Sequence, residues 1–263
     1  MKILCVIKQV PDSNAAVRVR ADGKDLDPAG LKLVVDPFDE FGVELAVQLR
    51  EKGKPVSEIV AITVGGDKAA EALRTAMAIG ADRAVHLCDP KFDSANELFF
   101  AYLVAAAVKK LGESFELIVC GKQNIDLDAG AVGPALAEFL DLPHVGAVQG
   151  LEFDEAGKRF TARRRIEGAE EVVEGALPVL LTIEKGLVEA RYPSLPNLMK
   201  AKKKELKVLT SADLPGETAA EAGTVVEALT PPPPRADCRF IEGEPAEMAR
   251  ELVRLLREDA KVI

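Results

Sequence analysis

The stretch Lys2-Ile3-Leu4-Cys5-Val6-Ile7-Lys8 decides the fold of this 263-residue chain. Five consecutive apolar residues between two lysines predict a β-strand that is covered on both faces, as the strands of parallel sheets are. Outward from this strand, apolar runs alternate with helical patterns as far as about residue 145. The alternation predicts an α/β fold with three layers, in which helices cover both faces of a mostly parallel, doubly wound sheet.

The alternating part of the chain is predicted to contain further strands and four helices. A helix over 68–79 ends at Gly80 and a helix over 95–111 ends at Gly112, because glycine readily forms helix C-caps. The other predicted elements are strands at 59–64, 83–88 and 117–120 and helices at 37–50 and 131–140.

The alternation of strands and helices ends at about residue 145. The segments 145–153, 158–166 and 171–173 are predicted to be strands of an antiparallel excursion. The apolar segment 178–183 is predicted to be a strand that returns to the sheet.

The C-terminal part of the chain is predicted to be an arm that consists of a linker and a helix. Four consecutive prolines at 231–234 predict a stiff polyproline linker, and 245–258 has the pattern of an amphipathic helix. We therefore divide the chain into an α/β domain, 1–230, and a C-terminal arm, 231–263. Two interpretations of the arm stay open: its helix packs on its own domain, or it wraps a partner.

Composition excludes several classes of function. The net charge of -9 and the isoelectric point near 5.0 argue against nucleic-acid binding. The cysteines are isolated from one another, which argues against zinc and iron–sulfur sites, and Cys5, Cys88 and Cys120 lie in apolar runs that predict buried thiols. No run of 18 apolar residues predicts membrane insertion, and no targeting segment is visible, so we expect a cytosolic or already imported protein.

Residues 191–204, R-Y-P-S-L-P-N-L-M-K-A-K-K-K, place apolar residues beside a cationic run. Pro193 and Pro196 are expected to disfavour helix around Leu195, and Asn197 is expected to cap a helix that starts at Leu198. Such a rigid apolar loop on a basic helix has the composition of a docking device. The alternative is a loop packed in the core, followed by a solvated helix.

A nucleotide site is predicted where strand ends converge, because ligands of such sheets bind at the carboxyl ends of the strands. The loop from Gly121 leads through Asp126, Asp128 and Gly130 into the helix predicted at 131–140. A helix N-terminus offers free amides to a phosphate, and Gly130 allows the backbone to approach closely. The alternative is an ordinary strand–helix turn, since the sequence contains neither G-x-G-x-x-G nor a P-loop motif.

The order and spacing of several motifs add a family resemblance over nearly the whole chain. They are K-I-L-C-V-I-K-Q-V-P-D at the start, D-P-F-D-E-F at 36–41, G-A-D-R at 80–83, G-K-Q-N-I-D-L-D at 121–128, R-R-I-E-G at 164–168, L-P-V-L-L-T at 177–182 and the segment 191–204. With these motifs the chain closely resembles the β-subunits of electron transfer flavoproteins, the smaller chains of flavin-carrying heterodimers.

The resemblance implies an electron carrier, not an enzyme, that binds AMP structurally and carries FAD mainly on its larger α-subunit. The arm would embrace that subunit, and Phe38 would also lie near the FAD. The residues implied to line the AMP site are Val6, Asp36, Pro37, Phe38, Asp39, Val64, Gly121, Lys122, Gln123, Asn124, Ile125, Asp126, Leu127, Asp128, Ala129, Gly130, Ala131 and Val132.

The resemblance also implies partners. The family uses a leucine of its recognition loop, here Leu195, to dock acyl-CoA dehydrogenases, and it passes electrons to a quinone-linked oxidoreductase. A place in fatty-acid or amino-acid breakdown follows, in a prokaryotic cytoplasm or a mitochondrial matrix. The residues implied to dock the partner are Tyr192, Pro193, Leu195, Pro196, Leu198, Met199 and Lys200.

The sequence departs from the family pattern at two places, and two other functions stay open. Ser13 replaces a tyrosine often found near the flavin, and A-G-A-V at 129–132 lacks the Gln or Thr that commonly contact phosphate. Some family members bind a second FAD at the AMP position and bifurcate electrons. Less closely, the same architecture includes ATP-hydrolysing proteins, for which Asp126 and Asp128 would hold magnesium.

Overall fold

The computed structural model describes residues 1–92, 96–154, 156–214, 226–235 and 237–263. Its strands are β1 (Lys2–Val6), β2 (Gln9–Pro11), β3 (Leu33–Val35), β4 (Glu58–Val64), β5 (Arg83–Leu87), β6 (Leu117–Gly121), β7 (His144–Phe153), β8 (Arg159–Ile166), β9 (Ala169–Ala176), β10 (Val179–Ile183) and β11 (Leu206–Leu209). Its α-helices are α1 (Pro37–Glu51), α2 (Ala69–Ile79), α3 (Glu97–Leu111), α4 (Val132–Leu140), α5 (Leu195–Ala201) and α6 (Pro245–Glu258).

One sheet organises the described part of the chain, in the strand order β11-β5-β4-β1-β6-β10-β7-β8-β9. The strands from β11 to β7 pair in parallel, and β7, β8 and β9 pair antiparallel. The opening strand is central: Cys5 lies opposite Ala61 of β4 on one side and opposite Val119 of β6 on the other. The predicted fold class, with its antiparallel excursion and its returning strand β10, is confirmed.

Helices cover both faces of the sheet, because alternate side chains of each strand point to opposite faces. Ile3 and Cys5 pack in a core cluster with residues of α1 and α2. Leu4 and Val6 pack in a second cluster with residues of α3 and α4. Because helices pack on both apolar faces of β1, the fold has three layers, with the sheet between two layers of helices.

Several predicted boundaries change in the structure. Helix α3 begins at Glu97, where the side chain of Asn96 accepts a hydrogen bond from the Phe99 amide at 2.8 Å. Residue 95, the predicted start, lies outside the described residues. Gly80 and Gly112 follow α2 and α3 as predicted, and Gly112 has a φ of 64°.

Strand β11 was not predicted, because its lysine-rich surroundings lack a strand pattern. Its residues pair in parallel with β5, so that Leu206 lies opposite Ala84 and Val208 opposite His86. The edge position explains the composition, since Val208 is exposed and charged residues flank the strand.

The cysteine prediction is correct for two residues and wrong for the third. Cys5 and Cys120 are buried, and burial raises the pKa of both thiols. Cys88 is only partly buried, because it lies one residue beyond the end of β5.

The arm contains the predicted helix, α6, and none of its residues is buried. Met248 and Leu252 keep 37% and 48% of their surface exposed. No helix of the described residues is both long enough and apolar enough to cross a membrane.

Candidate nucleotide cleft and docking segment

Asp39 joins three parts of the chain at the carboxyl edge of the sheet. Its carboxylate accepts hydrogen bonds from the backbone amides of Lys8 at 2.8 Å and Gly121 at 2.6 Å, and from Nδ2 of Asn124 at 3.2 Å. The side chain is 3% exposed, and burial, followed by the charge of Asp36, raises the pKa of Asp39 well above its usual range. Asp39 therefore fixes the ends of β1 and β6 relative to α1.

Asp36 makes the second connection. It caps α1 by accepting a hydrogen bond from the Phe38 amide at 2.9 Å, and its other oxygen accepts one from the Ile125 amide at 2.7 Å. Burial raises the pKa of this carboxyl as well. The structure thus brings the predicted residues at 36–39 and 121–125 together, with both aspartates bound to protein amides.

The loop after β6 is shaped by local contacts. Lys8 Nζ lies 2.8 Å from Asp126 Oδ2, and Gln123 Nε2 donates to Asp128 Oδ1. A Cβ atom at Gly121 would lie 2.6 Å from Phe38 Cβ, so no larger residue fits there. Gly130 has a φ of 62°, which favours glycine and turns the chain toward α4.

A cleft opens between this loop, β1 and α3. Of the residues predicted for the AMP site, eight line it: Val6, Asp39, Gly121, Lys122, Gln123, Asn124, Gly130 and Val132. Ile7, Lys8, Phe100 and Cys120 complete the lining and were not in the predicted set. The cleft thus combines lysine side chains and loop backbone with apolar walls.

The other predicted residues surround the cleft without lining it. Val64 is buried at the end of β4, next to β1. Pro37 is exposed, and Phe38 is half-buried with its ring edge-to-face against Phe41 at 6.4 Å. The remaining residues, Asp126, Leu127, Asp128, Ala129 and Ala131, form an exposed stretch of the loop, and Ile125 is half-buried.

Glu97 of α3 reaches the start of α4 and was missed at the sequence level. Its Oε2 accepts a hydrogen bond from the Ala131 amide at 3.1 Å. The residue is 7% exposed, and within the described residues its Oε1 has no hydrogen-bond partner. A buried carboxylate therefore stands beside the helix start that was predicted to hold a phosphate.

These observations test whether a nucleotide fits. The first amides of any α-helix lack intrahelical acceptors, and those of α4 follow directly on the turn at Gly130. Lys8 and Lys122 line the cleft, where their ammonium groups already pair with the carboxylates of Asp126 and Glu184, at 2.8 and 2.7 Å. The free Oε1 of Glu97 suits a hydroxyl donor, such as a ribose hydroxyl, better than a second anion. The groups in this region that could contact a nucleotide are the backbone amides at the start of α4 beyond Ala131 and Oε1 of Glu97.

We define the docking segment as residues 192–200. Contrary to prediction, the helix begins at Leu195 and its cap is Ser194, whose Oγ accepts a hydrogen bond from the Asn197 amide at 3.4 Å. Pro196 lies in the first turn, where proline is tolerated because that amide has no intrahelical acceptor. Leu195 is therefore presented by a helix end and not by a loop.

The docking segment is exposed, unlike a loop packed in the core. Tyr192, Leu195 and Met199 expose 98%, 78% and 62% of their surface. Leu195, Leu198 and Met199 line a groove of about 510 Å³ against α2. An exposed apolar patch of this kind is typical of an interaction surface.

The C-terminal end of the docking segment is fixed to α2. Arg74 donates from Nη1 to the carbonyl oxygens of Ala201 and Lys204, at 2.7 and 2.9 Å. Lys204 Nζ donates to the carbonyl oxygens of Met77 and Ala81, at 2.8 and 2.6 Å. Lys204 thus serves the end of α2 and not a solvated basic face.

Comparisons with known proteins place the chain in one family. A family model described as electron transfer flavoprotein domain matches residues 26–214. The electron transfer flavoprotein subunit beta of Bacillus subtilis is 38% identical, with all of both chains covered. The mitochondrial subunit beta of Oryza sativa subsp. japonica is 36% identical, again over both whole chains. The human subunit beta is 33% identical over all of this chain and 99% of its own length.

Proposed function

Because this chain belongs to the electron transfer flavoprotein β-subunit family, we propose that it pairs with an FAD-carrying α-subunit and relays electrons between other flavoproteins. The heterodimer takes electrons from acyl-CoA and related dehydrogenases and passes them to a quinone-linked oxidoreductase. The observation that carries the proposal is the exposed apolar docking segment around Leu195, held in a fixed place on the fold. The proposed location is a prokaryotic cytoplasm or a mitochondrial matrix.

The chain's own residues have distinct tasks in this proposal. FAD, when bound, supplies the redox chemistry of the heterodimer. Phe38 would contribute to the wall near the flavin, and the docking segment would hold the dehydrogenase against the heterodimer. Arm residues, with an exposed apolar side on α6, embrace the larger subunit.

AMP is proposed to occupy the cleft as a structural ligand. Gly130 and the first turn of α4 beyond Ala131 would hold its phosphate through backbone amides, which do not require the Gln or Thr side chains that this loop lacks. Glu97, whose Oε1 has no hydrogen-bond partner within the described residues, would accept a hydrogen bond from a ribose hydroxyl. The magnesium-dependent alternative is disfavoured because Asp126 already pairs with Lys8 and Asp128 with Gln123.

Nucleotide content of the purified complex tests this proposal. The chain is co-expressed with an α-subunit of the same family, and the bound nucleotides are released, separated by chromatography and counted per heterodimer. We expect one FAD and one AMP. Two FAD molecules would instead assign the bifurcating function, and the absence of flavin would contradict the carrier role.

A matched pair of glycine variants tests whether AMP lies at Gly130. Gly130→Val should reduce bound AMP strongly, since valine is strained at a φ of 62° and crowds the Lys122 carbonyl. Gly168→Val imposes similar strain at a φ of 74° in the β8–β9 turn, away from the cleft. If both variants retain normal AMP, or both lose it equally, the nucleotide does not lie at Gly130.

A further inference from the structure

The chain that leads into the docking segment has little structure of its own. Between the end of β10 at Ile183 and the start of α5 at Leu195 there is neither helix nor strand. Residues 186–193 are all described, and their hydrogen bonds are those of one side chain, that of Arg191. Leu187 and Val188 add apolar contacts with the core. The path of this segment therefore depends strongly on Arg191, four residues before Leu195.

Arg191 binds two carboxylates of α1 at once. Its Nε and Nη2 donate to Glu44 at 2.7 and 2.9 Å, and its Nη1 and Nη2 donate to Glu51, both at 2.7 Å. Glu44 and Glu51 are seven residues apart, so that they lie on one face of α1 two turns apart. The planar guanidinium matches this pair of acceptors, which the single ammonium of a lysine cannot do.

The two carboxylates differ in environment. Glu44 has only 2% of its side chain exposed and also accepts a hydrogen bond from Gln48 at 2.8 Å, whereas Glu51 is 53% exposed. Without Arg191, the charge of Glu44 would be buried with no cation in contact, which is unfavourable. The contact with Glu44 is consequently a strong constraint, and the contact with Glu51 fixes the orientation of the guanidinium.

We propose that Arg191 is a positioning residue for partner docking, which holds the docking segment in its binding orientation before a partner arrives. Arg74 and Lys204 fix the C-terminal end of the segment on α2, and Arg191 fixes the N-terminal approach on α1. The apolar side chains between these two anchors then meet a partner with little loss of conformational freedom. This inference rests on the proposed function, in which the docking segment binds a flavoprotein dehydrogenase.

Arg191→Gln and Arg191→Lys in the intact heterodimer test the inference. The rate of flavin reduction is measured over a range of acyl-CoA dehydrogenase concentrations. We expect Arg191→Gln to raise the half-saturating concentration about tenfold, because the segment must be ordered on binding, with the maximal rate retained. Arg191→Lys should recover part of the loss. Hydrogen exchange of the free heterodimer should be faster at 197–200, where the amides of the docking segment are hydrogen-bonded, in Arg191→Gln and unchanged in α4.

Arg83→Gln is the matched control for a merely structural role. Arg83 also bridges two glutamates, Glu58 and Glu113, but these belong to β4 and to the turn before β6 and not to α1. We expect it to lower thermal stability and leave the half-saturating concentration unchanged. If Arg191→Gln lowers stability in the same way, with a wild-type half-saturating concentration and wild-type exchange at 197–200, the inference is wrong.

Two further variants separate failure of the inference from misfolding of Arg191→Gln and from failure of the proposed function. If Arg191→Gln does not fold, Glu51→Gln is used instead, because it leaves the buried contact between Arg191 and Glu44 in place. Glu51→Gln should still raise the half-saturating concentration. A wild-type half-saturating concentration together with wild-type hydrogen exchange in Glu51→Gln would overturn the inference. If Leu195→Ala weakens docking and Arg191→Gln does not, the inference fails and the proposed function stands. If the dehydrogenase does not reduce even the wild-type heterodimer, both fail.

Discussion

Leu195 illustrates how little a single residue type says about its role. A leucine between two prolines suggested a loop, yet the residue begins a helix that Ser194 caps. Its exposure of 78% is unfavourable for an isolated protein and becomes favourable when a partner covers the side chain. The helix end fixes the backbone, so the side chain needs little further ordering on binding.

Leu195→Ala should therefore weaken docking without affecting the fold. A buried apolar anchor contributes on the order of 2 kcal/mol, or roughly a thirtyfold change in affinity. Flavin reduction by an acyl-CoA dehydrogenase, measured over a range of concentrations, should show a higher half-saturating concentration. Leu98→Ala is the control, since Leu98 is 58% exposed on α3, outside the docking segment. Unchanged docking, or unfolding of Leu195→Ala, would show that Leu195 is not the anchor.

At the scale of elements, ionic contacts tie strand β1 to its neighbours at the amino edge of the sheet. Lys2 lies 3.1 Å from Glu58 and 2.7 Å from Glu113, and Arg83 contacts the same two carboxylates at 2.9 and 2.6 Å. The cluster joins β1, β4, β5 and the turn before β6. Hydrogen bonding to Arg83 lowers the pKa of Glu58 from its ordinary value of 4.5.

The lowered pKa fixes the sign of a pH dependence. A depressed carboxyl pKa contributes stability above the unfolded-state value, and this contribution is lost as the pH falls through the native value. Arg83→Gln should lower the free energy of unfolding by about 1–3 kcal/mol at pH 7. The difference from wild type should shrink below the ordinary Glu58 pKa of 4.5. Urea denaturation at several pH values measures it.

Arg254 provides the comparison for this prediction. It also contacts two glutamates, Glu251 and Glu258, but on the exposed helix α6. Because solvent screens exposed pairs, Arg254→Gln should leave the stability unchanged at every pH. A difference between wild type and Arg83→Gln that stays constant from pH 7 to pH 3 would contradict the assigned role of Glu58.

At the scale of the whole molecule, the sheet forms part of the hydrophobic core, whereas the helix of the arm does not. The sheet and α1 to α4 bury both apolar clusters, whereas α6 has no buried residue. A helix of this length with an unpacked apolar side is marginal in water. The arm is therefore expected to gain its packing from the larger subunit.

Ending the chain before Pro231 should weaken heterodimer formation and leave the α/β domain folded. Co-purification with the α-subunit should fall and flavin should be lost, while the free energy of unfolding of the isolated chain changes by no more than about 0.5 kcal/mol. Leu252→Asp in the full chain should reproduce the loss, and Arg250→Asp on the polar side should not. Full co-purification of the shortened chain, with its flavin, would show that the arm does not bind the partner.

The sequence alone determined the architecture, because the fold depends on local periodicity. The run from Ile3 to Ile7 and its alternation with helical segments predicted the parallel sheet, and Gly80 and Gly112 marked helix ends. These features involve neighbours in the chain, so that pattern and composition suffice. The motif around Gly121 likewise predicted a loop at the carboxyl edge, where the cleft opens.

Tertiary structure alone decided which distant residues meet. Glu97 reaches the Ala131 amide across 34 positions, and Arg191 reaches Glu44 across 147. The short strand β11 forms because β5 offers it an edge, and Cys88 is partly exposed because its strand ends one residue earlier. A charged or polar residue is ambiguous in a sequence, since solvent and a distant partner satisfy it equally. Only the packing of helices on the sheet determines which of the two it receives.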